Sequence, residues 1–127
     1  MMYIDTNVCL YLLGYGDVRL VEKAVKRVGD ETCVVSDIVL LELEYVLRKK
    51  LGLGRAELSE HIMSLINDAQ FRCSSHIGQA VLDTYKASMS VSFADLLLCA
   101  EAATAKAKLL TNDVDLHKRN SSATILL

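Results

Sequence analysis

Apolar residues fall into short unbroken runs separated by longer stretches with helical periodicity. The first run, Met2 to Asp5, ends abruptly in an acid followed by Thr6 and Asn7, which predicts a buried strand turning directly into a helix over Thr6 to Leu13. Gly14 and Gly16 stop that helix, and Asp17 caps the next, which runs to Val28 with Val18, Val21, Val25 and Val28 on one face. Cys33 to Val35 predicts a second strand. Ser36 caps a long helix to about Lys50, closed by Gly52 and Gly54, and a helix from Arg55 to Ala69 is expected to bury Leu58, Ile62, Leu65 and Ile66. Phe71 to Cys73 is the third strand, followed by a helix from Ser75 or His76 to Met89. Ser92 opens a helix ending near Lys106, Leu109 to Thr111 forms the fourth strand, a helical turn follows Asn112, and Ala123 to Leu126 reads as a fifth, edge strand.

Strands alternating with helices imply a parallel sheet covered on both faces. The expected fold is a three-layer α/β/α sandwich on a five-stranded parallel sheet, formed by one domain over residues 1–127. In such sheets ligands sit in the crevice outside the carboxyl ends of the strands. Asp5 ends the first strand, and Asp113 follows the fourth in the same way.

Composition adds little to this picture and removes several alternatives. Hydrophobic residues make up 52% of the chain, enough for a packed core with apolar surface left for an interface. No apolar stretch approaches the roughly 20 residues that span a bilayer, and Asp5 interrupts the first apolar run, so neither a membrane span nor a signal peptide is expected. Cys9, Cys33, Cys73 and Cys99 show no zinc or redox spacing and read as buried free thiols in a reducing, cytoplasmic compartment. A net charge of −2 argues against nucleic-acid binding by bulk electrostatics. The bases are clustered nonetheless: Lys23, Lys26 and Arg27; Arg48, Lys49, Lys50 and Arg55; Lys106 and Lys108; Lys118 and Arg119. They serve as solvated helix faces or as a phosphate-tracking patch. His61, His76 and His117 read as ordinary surface residues.

The acids carry the chemistry. At about 100° per residue, Glu42 lies among Ile38, Val39, Tyr45 and Val46 in the middle of an apolar stripe, where an ionised carboxylate is costly unless paired or metal-bound. It could instead sit at the stripe's edge and reach solvent or a lysine. Asp95 shares a face with Leu98, Cys99 and Ala102, which turns it inward, although Ser92 three residues earlier also makes a capping box. Asp5 and Asp113 have cap and turn readings of their own. In a parallel sheet all four can converge on one crevice. Close carboxylates repel by roughly 4 kcal/mol per pair at an effective dielectric of 20, so either their pKa values rise or a cation joins them. An all-oxygen donor set suits Mg²⁺ or Mn²⁺.

Four segments resemble the signatures of PIN-domain ribonucleases: Asp5-Thr6-Asn7 after the first strand, Ser36 six residues before Glu42, Phe93-Ala94-Asp95 opening an alanine-rich helix, and Leu110-Thr111-Asn112-Asp113 after a strand. The resemblance covers the whole chain, and the size is similar to that of VapC-type toxins of toxin-antitoxin pairs. It implies that Asp5, Glu42, Asp95 and Asp113 form a metal-binding catalytic quartet, with Thr6, Asn7 and Thr111 orienting the acids and the water. Asp115 is an alternative fourth acid, and Leu116 stands where the family commonly has phenylalanine. The resemblance also implies a homodimer, a small antitoxin partner, and cleavage of single-stranded or loop RNA that leaves a 5′ phosphate.

Two other classes compete. An aspartate-based phosphotransfer enzyme also places acids at strand ends, but position 7 is Asn7 where that chemistry wants a second acid. A non-catalytic binding module would use the acids only as caps, and it predicts no divalent-dependent change in melting temperature.

Overall fold

The computed structural model describes residues 1–73 and 77–127. The chain divides into two compact units, Met1–Ser74 and Ser75–Leu127. Together they hold parallel strands and seven α-helices among the described residues, an α/β architecture.

In the first unit, β1 (Met2–Tyr3), β2 (Cys33–Val35) and β3 (Phe71–Cys73) form a three-stranded parallel sheet with β2 in the middle. Register places Met2 opposite Cys33, Tyr3 opposite Val34, Cys33 opposite Phe71 and Val35 opposite Cys73. β2 is the strand with no polar side chain, and all three of its residues are buried, as a strand covered on both faces requires. The Ile4 N–H reaches the Val34 carbonyl at 3.1 Å, so pairing with β2 extends to the residue before Asp5.

Asp5 and Asp17 cap α1 (Thr6–Leu12) and α2 (Val18–Val28), each accepting a backbone N–H from the first turn that follows. The turn between them depends on Gly14 and Gly16, at φ +90° and +120°, a region that side chains with a Cβ rarely adopt. Ser36 caps α3 (Asp37–Tyr45), and its hydroxyl accepts the Val39 N–H. The helix then widens into a π-helical turn over Val46–Lys50, so the continuous helix expected to Lys50 changes its pitch after nine residues. α4 (Arg55–Asn67) buries Leu58, Ile62 and Leu65, while Ile66 is half-buried.

The second unit contains α5 (Gln79–Ala87), α6 (Phe93–Thr104), β4 (Leu109–Thr111), α7 (Val114–Arg119) and β5 (Thr124–Leu126). β4 and β5 pair in parallel, with Leu109 opposite Thr124 and Thr111 opposite Leu126. Phe93 meets Tyr85 edge to face, ring centroids 5.5 Å apart, at the centre of a core that includes Leu82, Val91 and Leu96. The expected start of α5 at Ser75 or His76 lies outside the described residues, as does the reading of His76.

Three side-chain expectations need correction, and the strand pairing differs from the one expected. The α2 valines read as one face, yet Val28 is buried, Val21 half-buried, and Val18 and Val25 exposed. Cys9, Cys33 and Cys99 are buried thiols, whereas Cys73 at the end of β3 is half-buried. His61 and His117 are not ordinary surface groups: His61 Nε2 hydrogen-bonds Tyr15 Oη at 2.7 Å, and His117 Nδ1 hydrogen-bonds Thr124 Oγ1 at 2.8 Å. The strands pair as a three-stranded and a two-stranded ladder, where alternation had suggested five strands in one sheet. Alternation locates strands but carries no information about which strands are neighbours. Among the described residues no helix is long and apolar enough to cross a membrane.

Candidate active site

The sequence between β1 and α1 does two jobs at once. An apolar pair enters the sheet, and the first polar residue after it must satisfy the free amides of the coming helix. Asp5 does so with one oxygen, Oδ1 accepting the Val8 N–H at 3.0 Å, while the exposed carboxylate keeps its second oxygen available. Thr6, the next residue, is 7% exposed and donates its hydroxyl to Glu42 Oε2 at 2.8 Å. That bond ties the N-terminus of α1 to the second turn of α3 across 36 positions of sequence. It brings the Asp5-Thr6-Asn7 segment and Glu42 to one end of the first unit, with Asn7 exposed beside them.

Glu42 is not inside the apolar stripe the helical projection assigned to it. α3 carries two apolar faces, and Leu40, Leu43 and Leu47 face the core while Ile38, Leu41 and Tyr45 face out. Full burial of each leucine stabilises the unit by about 1.5–3 kcal/mol. Glu42 therefore lies on the exposed side, held by Thr6, and the acid that enters the core is Glu44, 4% exposed. Its charge is met by Arg48, whose Nε donates to Glu44 Oε1 at 2.6 Å one turn later. The i, i+4 spacing of an acid and an arginine was the available signal for that pair.

In the second unit Asp95 stands in the first turn of α6. Ser92 Oγ accepts the Asp95 N–H at 3.1 Å, so the cap uses Asp95's backbone and leaves its half-buried carboxylate uncommitted. The face it shares is mixed, with Cys99 buried and Leu98 exposed. Burial, and secondarily the Asp95 charge, raises the Cys99 thiol above its ordinary range. Asp113 repeats the Asp5 arrangement at the end of β4: its Oδ1 accepts the Leu116 N–H at 3.0 Å as the cap of α7. Its own N–H is donated to Thr111 Oγ1 at 3.1 Å. Thr111 thus orients the loop that presents Asp113, while Asp115 is exposed in the first turn of α7. The Leu116 side chain is buried, filling the position after the acids with an aliphatic group.

Asp5 and Glu42 lie in the first unit, and Asp95 and Asp113 in the second. Within either unit, among the described residues, no three His, Cys, Asp or Glu side chains are gathered to hold a metal ion. Each of the four is nonetheless an oxygen donor of the kind a hard divalent cation takes: Asp5 and Asp113 each spend one oxygen on a cap, Glu42 spends one on Thr6, and no imidazole or thiolate takes part in these bonds.

The sequence profile of the PIN domain matches residues 2–121, from the first strand through α7. The chain belongs to the PIN-domain family. It is also similar to ribonuclease VapC2 of Rickettsia felis, with 28% identity over 129 residues that cover 94% of this chain and 92% of that protein. The PIN-domain match runs across both compact units and includes all four of the acid-bearing segments.

Proposed function

We propose that this PIN-domain chain is an endoribonuclease dependent on Mg²⁺ or Mn²⁺, and that it is the toxin of a toxin-antitoxin pair. Full-length similarity to a protein named as a VapC ribonuclease supports the activity. The structural observation that carries the reading is the Thr6–Glu42 hydrogen bond, because it unites two of the signature segments through a buried hydroxyl. In this reading Asp5, Glu42, Asp95 and Asp113 hold the cation, with Asp115 the alternative to Asp113. The two units act as one nuclease domain.

A divalent ion so held lowers the pKa of water and offsets charge on the scissile phosphate. The chain's own groups supply position. Thr6 fixes the rotamer of Glu42, Thr111 fixes the backbone of Asp113, and the α1 N-terminus fixes Asp5, so the carboxylates require little reorganisation when substrate arrives. Asn7, exposed beside Asp5, orients the attacking water. The substrate is single-stranded or loop RNA, cut to leave a 5′ phosphate. A small antitoxin protein covers apolar helix surface, Ile38 and Tyr45 of α3 being exposed, and the working form is a cytoplasmic homodimer.

Asp5→Asn is the decisive variant. Asparagine caps a helix about as well as aspartate, so the substitution removes charge and leaves the fold intact. Divalent-dependent cleavage of cellular RNA by Asp5→Asn is expected to fall to background while the variant still unfolds cooperatively; cleavage equal to that of the parent protein would end the nuclease reading.

A further inference from the structure

A groove of about 330 Å³ opens beside the first signature segment, lined by Tyr3, Asp5 and Val8 on one side and by Ala24, Arg27 and Val28 on the other. Its floor is apolar, and it lies wholly within the first unit. Tyr3 is unusual for a strand residue: it is 77% exposed, while Ile4 next to it is buried. Alternation along an extended chain puts Tyr3 and Asp5 on the same side, roughly 6–7 Å apart along the backbone. Across the groove, Ala24, Arg27 and Val28 form one stripe of α2 at i, i+3 and i+4 spacing. Arg27 is exposed and makes no ion pair among the described residues. An aromatic ring, a guanidinium and an apolar floor thus surround a space of single-nucleotide size, one side of which is the proposed catalytic carboxylate.

We propose that this groove seats one unpaired nucleotide of the RNA strand next to the phosphate that is cut, with its base against the Tyr3 ring and its phosphate on Arg27. The proposal rests on the nuclease reading for the position of the cut, and it deepens that reading by placing the strand. Three features favour a nucleic-acid strand as the occupant. A flat aromatic face accepts any base by stacking. Arginine offers a planar fork that matches phosphate and also stacks. The groove is continuous with Asp5, so a strand lying in it is led to the acids. The arrangement also explains how a chain of net charge −2 holds a polyanion: contact is local, through a base and one guanidinium. Tyr3 and Arg27 are positioning residues in this scheme, and neither touches the reacting atoms.

The test uses the full chain without divalent metal at low ionic strength, and two labelled probes of equal length: an oligouridine of twelve nucleotides and an abasic strand with the same number of phosphates. Fluorescence anisotropy is expected to show Tyr3→Ala binding oligouridine about tenfold more weakly, with abasic binding unchanged and Tyr3→Phe restoring affinity. Arg27→Ala is expected to weaken both strands alike and to reduce the slope of log affinity against log salt by about one. Because both side chains are exposed, the variants should melt with the parent protein, which a thermal scan checks. Parent-like affinity of both alanine variants for both strands overturns the proposal, and so does a parent protein that binds neither probe. Adding Mn²⁺ to the parent then tests the nuclease reading separately: failure to cut while the groove signature persists sinks that reading and leaves the groove standing.

Discussion

At the scale of single residues, two of the four proposed metal-binding acids, Asp5 and Asp113, are also helix caps, and the two roles separate by atom. Asp5 and Asp113 use one carboxylate oxygen to end a strand and start a helix, and the proposed metal role falls to the other. Thr6 shows how a buried side chain serves an exposed one. Thr6→Val keeps the volume and removes the hydroxyl, so Glu42 loses its anchor while the core is preserved. Cleavage is expected to fall by roughly 10–100-fold, as for other groups that orient metal-binding carboxylates, with Thr6→Ser retaining activity; an active Thr6→Val variant would remove Thr6 from the site. Cys9 allows a prediction that needs no ligand. Burial, more than the neighbouring Cys73 and Cys33, pushes its thiol up to about 12 from the ordinary 9.0. Above pH 9 the unfolded chain loses this proton and the folded chain keeps it, so the native state binds more protons and stability must fall as pH rises from about 9 toward 12. Urea midpoints measured across that interval should decline in the parent protein and decline less steeply in Cys9→Ala.

At the scale of elements, the turn between α1 and α2 is set by sterics. Gly16 has φ +120°, and a Cβ there would lie 2.8 Å from the Tyr11 ring, whereas a Cβ on Gly14 would meet nothing within 4 Å. Gly16→Ala is expected to cost about 1–3 kcal/mol, more than Gly14→Ala at φ +90°, where only backbone strain opposes the change; chemical denaturation of the two variants gives the comparison directly. Tyr15, between these glycines, reaches His61 of α4 and fastens the turn to its unit. α3 shows where sequence pattern stops being informative. Ile38, Leu41 and Tyr45 are as apolar as Leu40, Leu43 and Leu47, and both sets recur at helical spacing. Packing selected the leucines, which moved Glu42 outward and drew Glu44 in with Arg48 as its partner.

At the scale of the whole molecule, the proposal joins two carboxylates from each unit around one cation. Such a cluster should be destabilised by its own repulsion until a divalent ion binds, and a ligand that binds only the folded form at 100 times its Kd stabilises it by about 2.7 kcal/mol. Titration with Mn²⁺ is expected to raise the melting temperature of the parent protein by several degrees. The shift should be lost or much reduced in Asp95→Asn, in which the Ser92 cap survives because it uses the backbone N–H of residue 95. Equal shifts in the two proteins would mean that Asp95 is not a ligand. The PIN-domain match to residues 2–121 includes segments of both units.

Much of this was open to reading from the chain alone, because caps, strand ends and glycine turns are decided within a few residues. The placement of Asp5, Ser36, Ser92 and Asp113 at element boundaries follows from the free amides of a helix end and the polar groups that satisfy them. Local signals also gave β2 and the order of strands and helices. What tertiary structure decided was every choice between equivalents: which apolar face of α3 is covered, which of two nearby glutamates is buried, how strands pair into ladders, and which residues flank a groove. Those outcomes depend on contacts between segments dozens of residues apart, such as Thr6 with Glu42 and Tyr15 with His61, and no periodicity in a single segment encodes its partner.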